Sequence, residues 1–353
     1  MMRKRCYIAE WVVCMLLLTI CFSACSSYID DDLSDCPPDP NPPIPPTEQD
    51  YELNYELRLV TNMTTELETQ LTTITEVKVA DALRTHLENI FSDFAHDIDL
   101  SFYDTEGALN CLYHKRDIIN ASQTSYTLTL PMRQYMHLAV ANIAENNVVG
   151  LKDEQQSNTS MLLQAEGKIL EPHNTGLFTA RQSMEVLSDV SQTFNVRLFM
   201  ANSAVALVLN PKDHNYTDMK VYATGFANQF NIKDSVYVYP AENPLINATK
   251  VETGNDLLCY CSVNFPSRDA AAASSSKRAE ADPALWQFKV YIKNSDGKVT
   301  ETVLDIEEPL KAGDLRIIKG EVDDDGAVRP YNSTVGVSVT LDWNDGGEYN
   351  WEM

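Results

Sequence analysis

The sequence predicts an all-β fold of two antiparallel β-sandwiches in tandem, with one helix in the first. Three observations carry this. Apolar and polar residues alternate with period two in segment after segment, as in half-buried strands. Turn-forming Asp, Asn, Ser and Gly fall between those segments. Helical spacing of apolar residues is confined to residues 82–95. A length of 353 residues suits two domains.

The pattern starts at Tyr51. Leu53, Tyr55, Leu57 and Leu59 alternate with Asn54, Glu56 and Arg58, which predicts a strand. In the predicted helix, Leu83, Leu87, Ile90 and Phe94 form one stripe, with Asp81 as its N-cap. Residues 98–103 read as a strand, Asp104 to Gly107 as a turn, and 108–113 as the hairpin partner. Further strands are expected at 126–130, 135–143, 184–187 and 194–199. In the second half they fall at 204–209, 220–224, 257–265, 286–293, 298–304, 315–322 and 335–343. Asn294-Ser295-Asp296-Gly297 is a hairpin turn signal. In the last strand Val335, Val337, Val339 and Leu341 alternate with Gly336, Ser338 and Thr340. The boundary falls near residue 201, giving sandwiches at 51–200 and 201–353. Residues 267–283, rich in Ala and Ser, read as a surface loop.

The first fifty residues obey different rules. Arg3, Lys4 and Arg5 precede an apolar run from Trp11 to Phe22. Twelve residues are too few for a membrane span of about 20 and fit a signal peptide. Ser23 and Ala24 then precede Cys25, the arrangement of a bacterial lipobox. The expectation is cleavage after residue 24 and lipid on Cys25. Residues 25–50 make a tether: Asp30, Asp31, Asp32 and Asp35 are acidic, and seven of the ten residues from Pro37 to Pro46 are proline. Such a stretch favours extended polyproline II, a semi-rigid spacer.

The formal net charge is −24. Cleavage removes three basic residues and one acid, leaving −26. That field repels phosphate backbones and argues against a nucleic-acid partner. An exported protein permits disulfides. Cys259 and Cys261 point to one face of a strand and read as core thiols. Elimination leaves Cys36 and Cys111 as the pair to test.

Chemistry is sparse. None of the six histidines sits in a His-Glu-x-x-His arrangement, and no Cys-x-x-Cys, Gly-x-Ser-x-Gly elbow, Walker loop or dinucleotide fingerprint occurs. No catalytic residue, metal site or cofactor is therefore predicted. The nearest approach to a metal loop is Glu321-x-Asp323-x-Asp325-Gly326, with oxygen ligands at alternate positions and a turn glycine. Asn332 stands where a calcium loop ends in Glu, so an acidic turn between strands is the favoured reading.

Cys25-Ser-Ser-Tyr-Ile-Asp-Asp-Asp-Leu-Ser-Asp-Cys36-Pro37 resembles the opening of the FimB-type minor fimbrial subunits of Bacteroidales, lipoproteins that anchor type V pili. Phe102-Tyr103-Asp104, Leu130-Pro131 followed by Tyr135, Ala139 to Asn142, Gly176-Leu177-Phe178, and Val337 to Trp343 resemble strands of both of that family's domains. Arg133 near a usual glycine, and Cys111 after the turn rather than before the strand, depart from its pattern.

The resemblance implies two transthyretin-like β-sandwich domains, an outer-membrane lipid anchor and a pilin shaft subunit as partner. In such pili, subunits join by exchanging strands, which satisfies unpaired backbone groups at a sheet edge. The run Asp30 to Asp32 resembles surface-sorting signals of these bacteria, and a solvated tether accounts for it equally. The aromatic tail with Trp343, Tyr349 and Trp351 either contacts the shaft or packs on its own domain. A shaft subunit would carry a basic maturation site ahead of its first strand; no Arg or Lys lies between Cys36 and Tyr51, which favours an anchor. A glycan-binding surface lipoprotein of a nutrient-uptake system is the competing reading. It needs exposed aromatic platforms, and only Trp286, Trp343 and Trp351 are available after cleavage.

Overall fold

A computed structural model describes residues 49–61, 63–91, 95–105, 111–118, 125–144, 146–153, 158–164, 166–188, 191–269 and 284–341. In chain order the first half holds β1 (Asp50–Val60), α1 (Met63–Leu71), α2 (Val77–Ile90), β2 (Asp97–Asp104), β3 (Cys111–Ile118), β4 (Ser125–Pro131), β5 (Gln134–Ala141), β6 (Val149–Asp153), β7 (Asn158–Gln164), β8 (Ile169–Leu170), β9 (Phe178–Glu185) and β10 (Gln192–Met200). The second half holds β11 (Ser203–Asn210), β12 (Tyr216–Thr224), β13 (Gln229–Asn231), β14 (Val236–Val238), β15 (Leu245–Asn247), β16 (Thr249–Val251), β17 (Leu258–Asn264), β18 (Trp286–Asn294), β19 (Val299–Ile306), β20 (Leu315–Val322), β21 (Val328–Pro330) and β22 (Gly336–Thr340).

The fold is all-β in character. Its largest sheet has the order β3-β2-β5-β9-β10-β1-β4. β9 and β10 pair at only two positions, Thr179 with Phe199 and Phe178 with Met200. The sheet folds over at that corner and makes a sandwich of its own two parts. Leu53 and Tyr55 of β1 and Leu128 and Leu130 of β4 share one core with Phe102 of β2 and Tyr135 of β5. The alternate residues of β1 and β4, among them Glu52, Glu56 and Thr129, are exposed, the in-and-out pattern of a sheet with one wet face.

A second sandwich stacks the sheet β16-β17-β11-β20-β21 on the sheet β22-β19-β18-β12-β15-β8. Val205 and Leu207 of β11 meet Val221 of β12 and Trp286, Phe288 and Val290 of β18. The opposite face of β11, with Ala204, Ala206 and Val208, belongs to the first core. That strand is therefore buried on both faces, and Ala-Val-Ala-Leu-Val-Leu loses the alternation of a surface strand. A small sheet, β14-β13-β7-β6, combines strands from either side of residue 201. Phe230 of β13 and Val149 and Leu151 of β6 pack with Leu138 and Val140 on the outer face of β5.

Several expectations need correction. Among the described residues there are two helices. α1 places Met63, Leu67 and Leu71 on one buried stripe, but Thr64, Thr65 and Thr69 dilute its helical signal. α2 begins five residues before the predicted start, because β-branched Val77 and Val79 disguise its first turn. Asp81 lies inside the helix, and Glu76 is the N-cap without a side-chain hydrogen bond. Phe91 is the C-cap, and Phe94 lies outside the described residues. The sheets are mixed rather than antiparallel: β1 runs parallel to β10, β11 to β20, and β15 to β8. β9 starts six residues early, since Thr179-Ala-Arg-Gln-Ser183 is a poor strand signal.

Other readings match. β20 covers Leu315–Val322 as expected, and β2 and β3 pair antiparallel, although β3 runs over Cys111–Ile118 rather than 108–113 and residues 106–110 lie outside the described residues. β18 and β19 flank the turn at 294–297, where Gly297 takes φ +88° and its N–H donates to Asn294 O at 2.9 Å. Cys259 and Cys261 are buried, unbridged thiols on one face of β17. Burial pushes the Cys259 thiol up to about 12.

Candidate functional site

The second sandwich has an unfinished edge. Among the described residues β22 is the terminal strand of its sheet and pairs on one side only, antiparallel to β19. Val337 lies opposite Leu304, and Val339 opposite Thr302. Directly opposed residues share a face. Leu304 and Thr302 are fully buried, with Leu304 in the sandwich core, so Val337 and Val339 point to the core side. Nothing among the described residues covers them there. Val335 is 7 % exposed, whereas Val337, Val339 and Leu341 are 45, 43 and 57 % exposed.

Every residue of β22 is exposed. Among the described residues nothing pairs with its outer edge, which offers backbone N–H and C=O groups in addition to an apolar stripe. Exposed edge strands are ordinarily guarded by Lys, Pro or a bulge. The sequence Gly-Val-Ser-Val-Thr has no such guard. Gly336 packs against the side chain of Asp305, where an added Cβ would sit 3.0 Å from Asp305 Cβ. An arrangement of this kind accepts one more strand or a short apolar segment. Beside the end of the strand, Leu341 forms one wall of a polar cleft of about 480 Å³ with Asp213, His214, Asn294, Asp296 and Asp325.

The acidic segment after β20 is a hairpin turn. The Asp323 N–H donates to Ala327 O at 2.8 Å, and the Gly326 N–H to Asp323 O at 3.0 Å, with Gly326 at φ +80°. Lys212 Nζ holds Glu321 Oε1 at 2.8 Å, and Arg329 Nη2 holds Asp323 Oδ2 at 2.7 Å. Asp325 Oδ1 accepts from the Ala327 N–H at 3.0 Å. These carboxylates are committed to cations and to the turn itself, and among the described residues no three His, Cys, Asp or Glu side chains could hold a metal ion.

Of the other sequence-predicted site residues, Cys25, Cys36, Trp343, Tyr349 and Trp351 lie outside the described residues. Cys111 opens β3 with a half-buried thiol, whose Sγ lies 3.4 Å from Tyr113 O. Trp286 is buried among Phe226 and Phe288, and its Nε1–H donates to Glu308 O at 3.0 Å. It offers no platform to a sugar. Sequence reasoning missed the uncovered face of β22, because alternation marks an apolar face without saying where the facing sheet stops.

No protein-family profile matches the chain, and no curated protein does. Similarity is found among solved structures. One is a candidate adhesin from Bacteroides ovatus at 11 % identity, spanning 77 % of this chain and 92 % of that one with a TM-score of 0.48. A candidate polysaccharide-binding protein from Bacteroides thetaiotaomicron has 10 % identity, 80 and 98 % coverage and a TM-score of 0.48. The fimbrial anchor protein Mfa2 from Porphyromonas gingivalis has 11 % identity, 83 and 99 % coverage and a TM-score of 0.46.

Proposed function

We propose that this chain is a structural fimbrial subunit, held at the outer membrane by lipid on Cys25 and joined to a pilin shaft subunit through β22 and the tail that follows it. The observation that carries the reading is the apolar, core-side face of β22, open where a sandwich normally has a covering strand. A partner's strand laid there would bury Val337, Val339 and Leu341 and pair the free backbone edge. The lipobox at Cys25 and the Asp-Leu-Ser-Asp-Cys36-Pro37 opening supply the membrane end of the argument. The proline-rich segment between them and β1 acts as a spacer. A Cys36–Cys111 bridge would fasten that spacer to β3.

The test is affinity capture of the tagged mature protein from its native outer membrane, with mass spectrometry of what accompanies it. A pilin-like protein in an SDS-sensitive complex, lost when β22 is altered, is the expected result. Cys25→Ala should release the protein from the membrane fraction without changing its fold. Recovery of a nutrient-uptake transporter alone would replace this reading with that of a glycan-binding lipoprotein.

A further inference from the structure

A cavity of about 330 Å³ opens where α2, the loop after β8 and the strands β16 and β17 meet. Its floor is made by Val148, His173, Cys261 and Val263, all buried. Asn147, Glu171, Asn174 and Thr249 are exposed and form the rim. His173 is 1 % exposed, and neither ring nitrogen has a hydrogen-bond partner among the described residues. Its ring is fixed edge-on to Phe265 at 4.7 Å between centroids. Its backbone N–H donates to Val263 O at 2.8 Å, tying the loop to β17.

A buried imidazole with both nitrogens bare is costly, because each unmade hydrogen bond leaves a desolvated polar atom uncompensated. A buried polar group of this kind ordinarily has a partner in protein, water or ligand. The cavity excludes several occupants. A metal ion does not fit, because His86, Glu171, His173 and Cys261 share the lining but no three of them stand close enough to hold one. An anion finds no Lys or Arg in the wall. A cation finds only Glu171, at the rim and already accepting from Asn247 Nδ2 at 2.6 Å. Burial drives the His173 ring down to about 3, so it is neutral, with one donor and one acceptor nitrogen. A hydroxyl group can pair with either nitrogen, donating to the bare one or accepting from the protonated one. The volume lies at the small end of ligand pockets and exceeds the roughly 150 Å³ that accommodates benzene.

We propose that this cavity binds a small uncharged organic molecule, a ring or short chain bearing a hydroxyl group, with His173 as its hydrogen-bonding anchor. The proposal is independent of the fimbrial reading.

The probes are p-cresol and p-xylene, equal in size and differing in the hydroxyl. Binding is followed on the mature protein by saturation-transfer NMR and by the shifts of the His173 ring protons. Saturable binding of p-cresol about tenfold tighter than p-xylene is expected, the worth of one hydrogen bond to a buried polar group. His173→Phe should erase that preference while still admitting p-xylene, and should not lower the thermal midpoint of the ligand-free protein. Ile90→Trp, which fills the cavity from α2, should abolish both. Equal affinity for the two probes, binding that survives Ile90→Trp, or no shift at the His173 ring overturns the proposal and leaves a cavity filled by water. Should His173→Phe fail to fold, His173 supports folding rather than a ligand, and the proposal falls with it.

Discussion

The phenol of Tyr55 on β1 donates to Nε2 of His137 on β5 at 2.5 Å, across 82 positions of sequence. The proton assignment follows from the other nitrogen: His137 Nδ1 lies 3.0 Å from Ser101 O, a carbonyl that only accepts, so Nδ1 carries the hydrogen. β1 and β5 stand three places apart along their sheet. Their side chains touch because the sheet doubles over between β9 and β10.

The burial of His137 makes stability depend on pH. Burial pushes His137 down to about 4, against about 6.5 in an unfolded chain. Below about 6.5 the unfolded chain binds a proton that the folded protein refuses. His137 thus contributes stability that is fully present above 6.5 and is lost as pH falls toward 4. Urea midpoints measured between pH 7.5 and 5.5, above the range of most carboxylates, should fall on acidification. The fall should be smaller in His137→Phe. An equal slope in both proteins would contradict the assignment.

Substitutions at Val335 and Val339 should part company. Val339→Lys places a charge on an already exposed position and should change stability by less than about 0.5 kcal/mol. Val335→Lys buries that charge in the second core and should cost several kcal/mol. Chemical denaturation measures both. If β22 is the joint proposed above, capture of a pilin-like protein should be lost in Val339→Lys while its fold persists.

Gly225 and Gly254 both take positive φ, +97° and +64°. A Cβ on Gly225 would sit 2.7 Å from Trp286 Cα and 2.8 Å from Leu285 O, both backbone atoms that cannot swing aside. Around Gly254 there is nothing within 4 Å. Gly254→Ala should cost about 1 kcal/mol of backbone strain. Gly225→Ala should cost at least about 3 kcal/mol, strain and collision together. Similar urea midpoints for the two would refute the collision.

Calcium should not bind the turn after β20. Lys212 and Arg329 already neutralise Glu321 and Asp323. Titration calorimetry with millimolar calcium should give no saturable heat, and the melting temperature should not move. A rise of several degrees would mean that these ion pairs open and the carboxylates regroup.

The strand segments with clean alternation, such as β1, β4, β18 and β20, were legible in the sequence, since one face of each is dry and the other damp. So were the turn at 294–297 and the burial of Cys259 and Cys261. The short strands β13 to β16 were not, because three residues give too brief a period to detect. Parallel pairing of β1 with β10 was hidden too; period two fixes a strand's faces and says nothing of its neighbours' direction. The His173 cavity draws its walls from segments spread between residues 86 and 263, and no local pattern announces such a meeting.

The parallel pairing of β1 with β10 also sets a timetable. Leu53 finds its partner in Gln192, so the first strand made must wait while nearly 140 residues follow it. β7 waits about 70 residues, from Met161 until its partner Asn231 of β13 arrives. As the chain emerges amino end first, the leading half cannot close before much of the trailing half exists. Its bare edges stay open through that interval and depend on a chaperone, or on speed, to avoid pairing with a neighbouring chain.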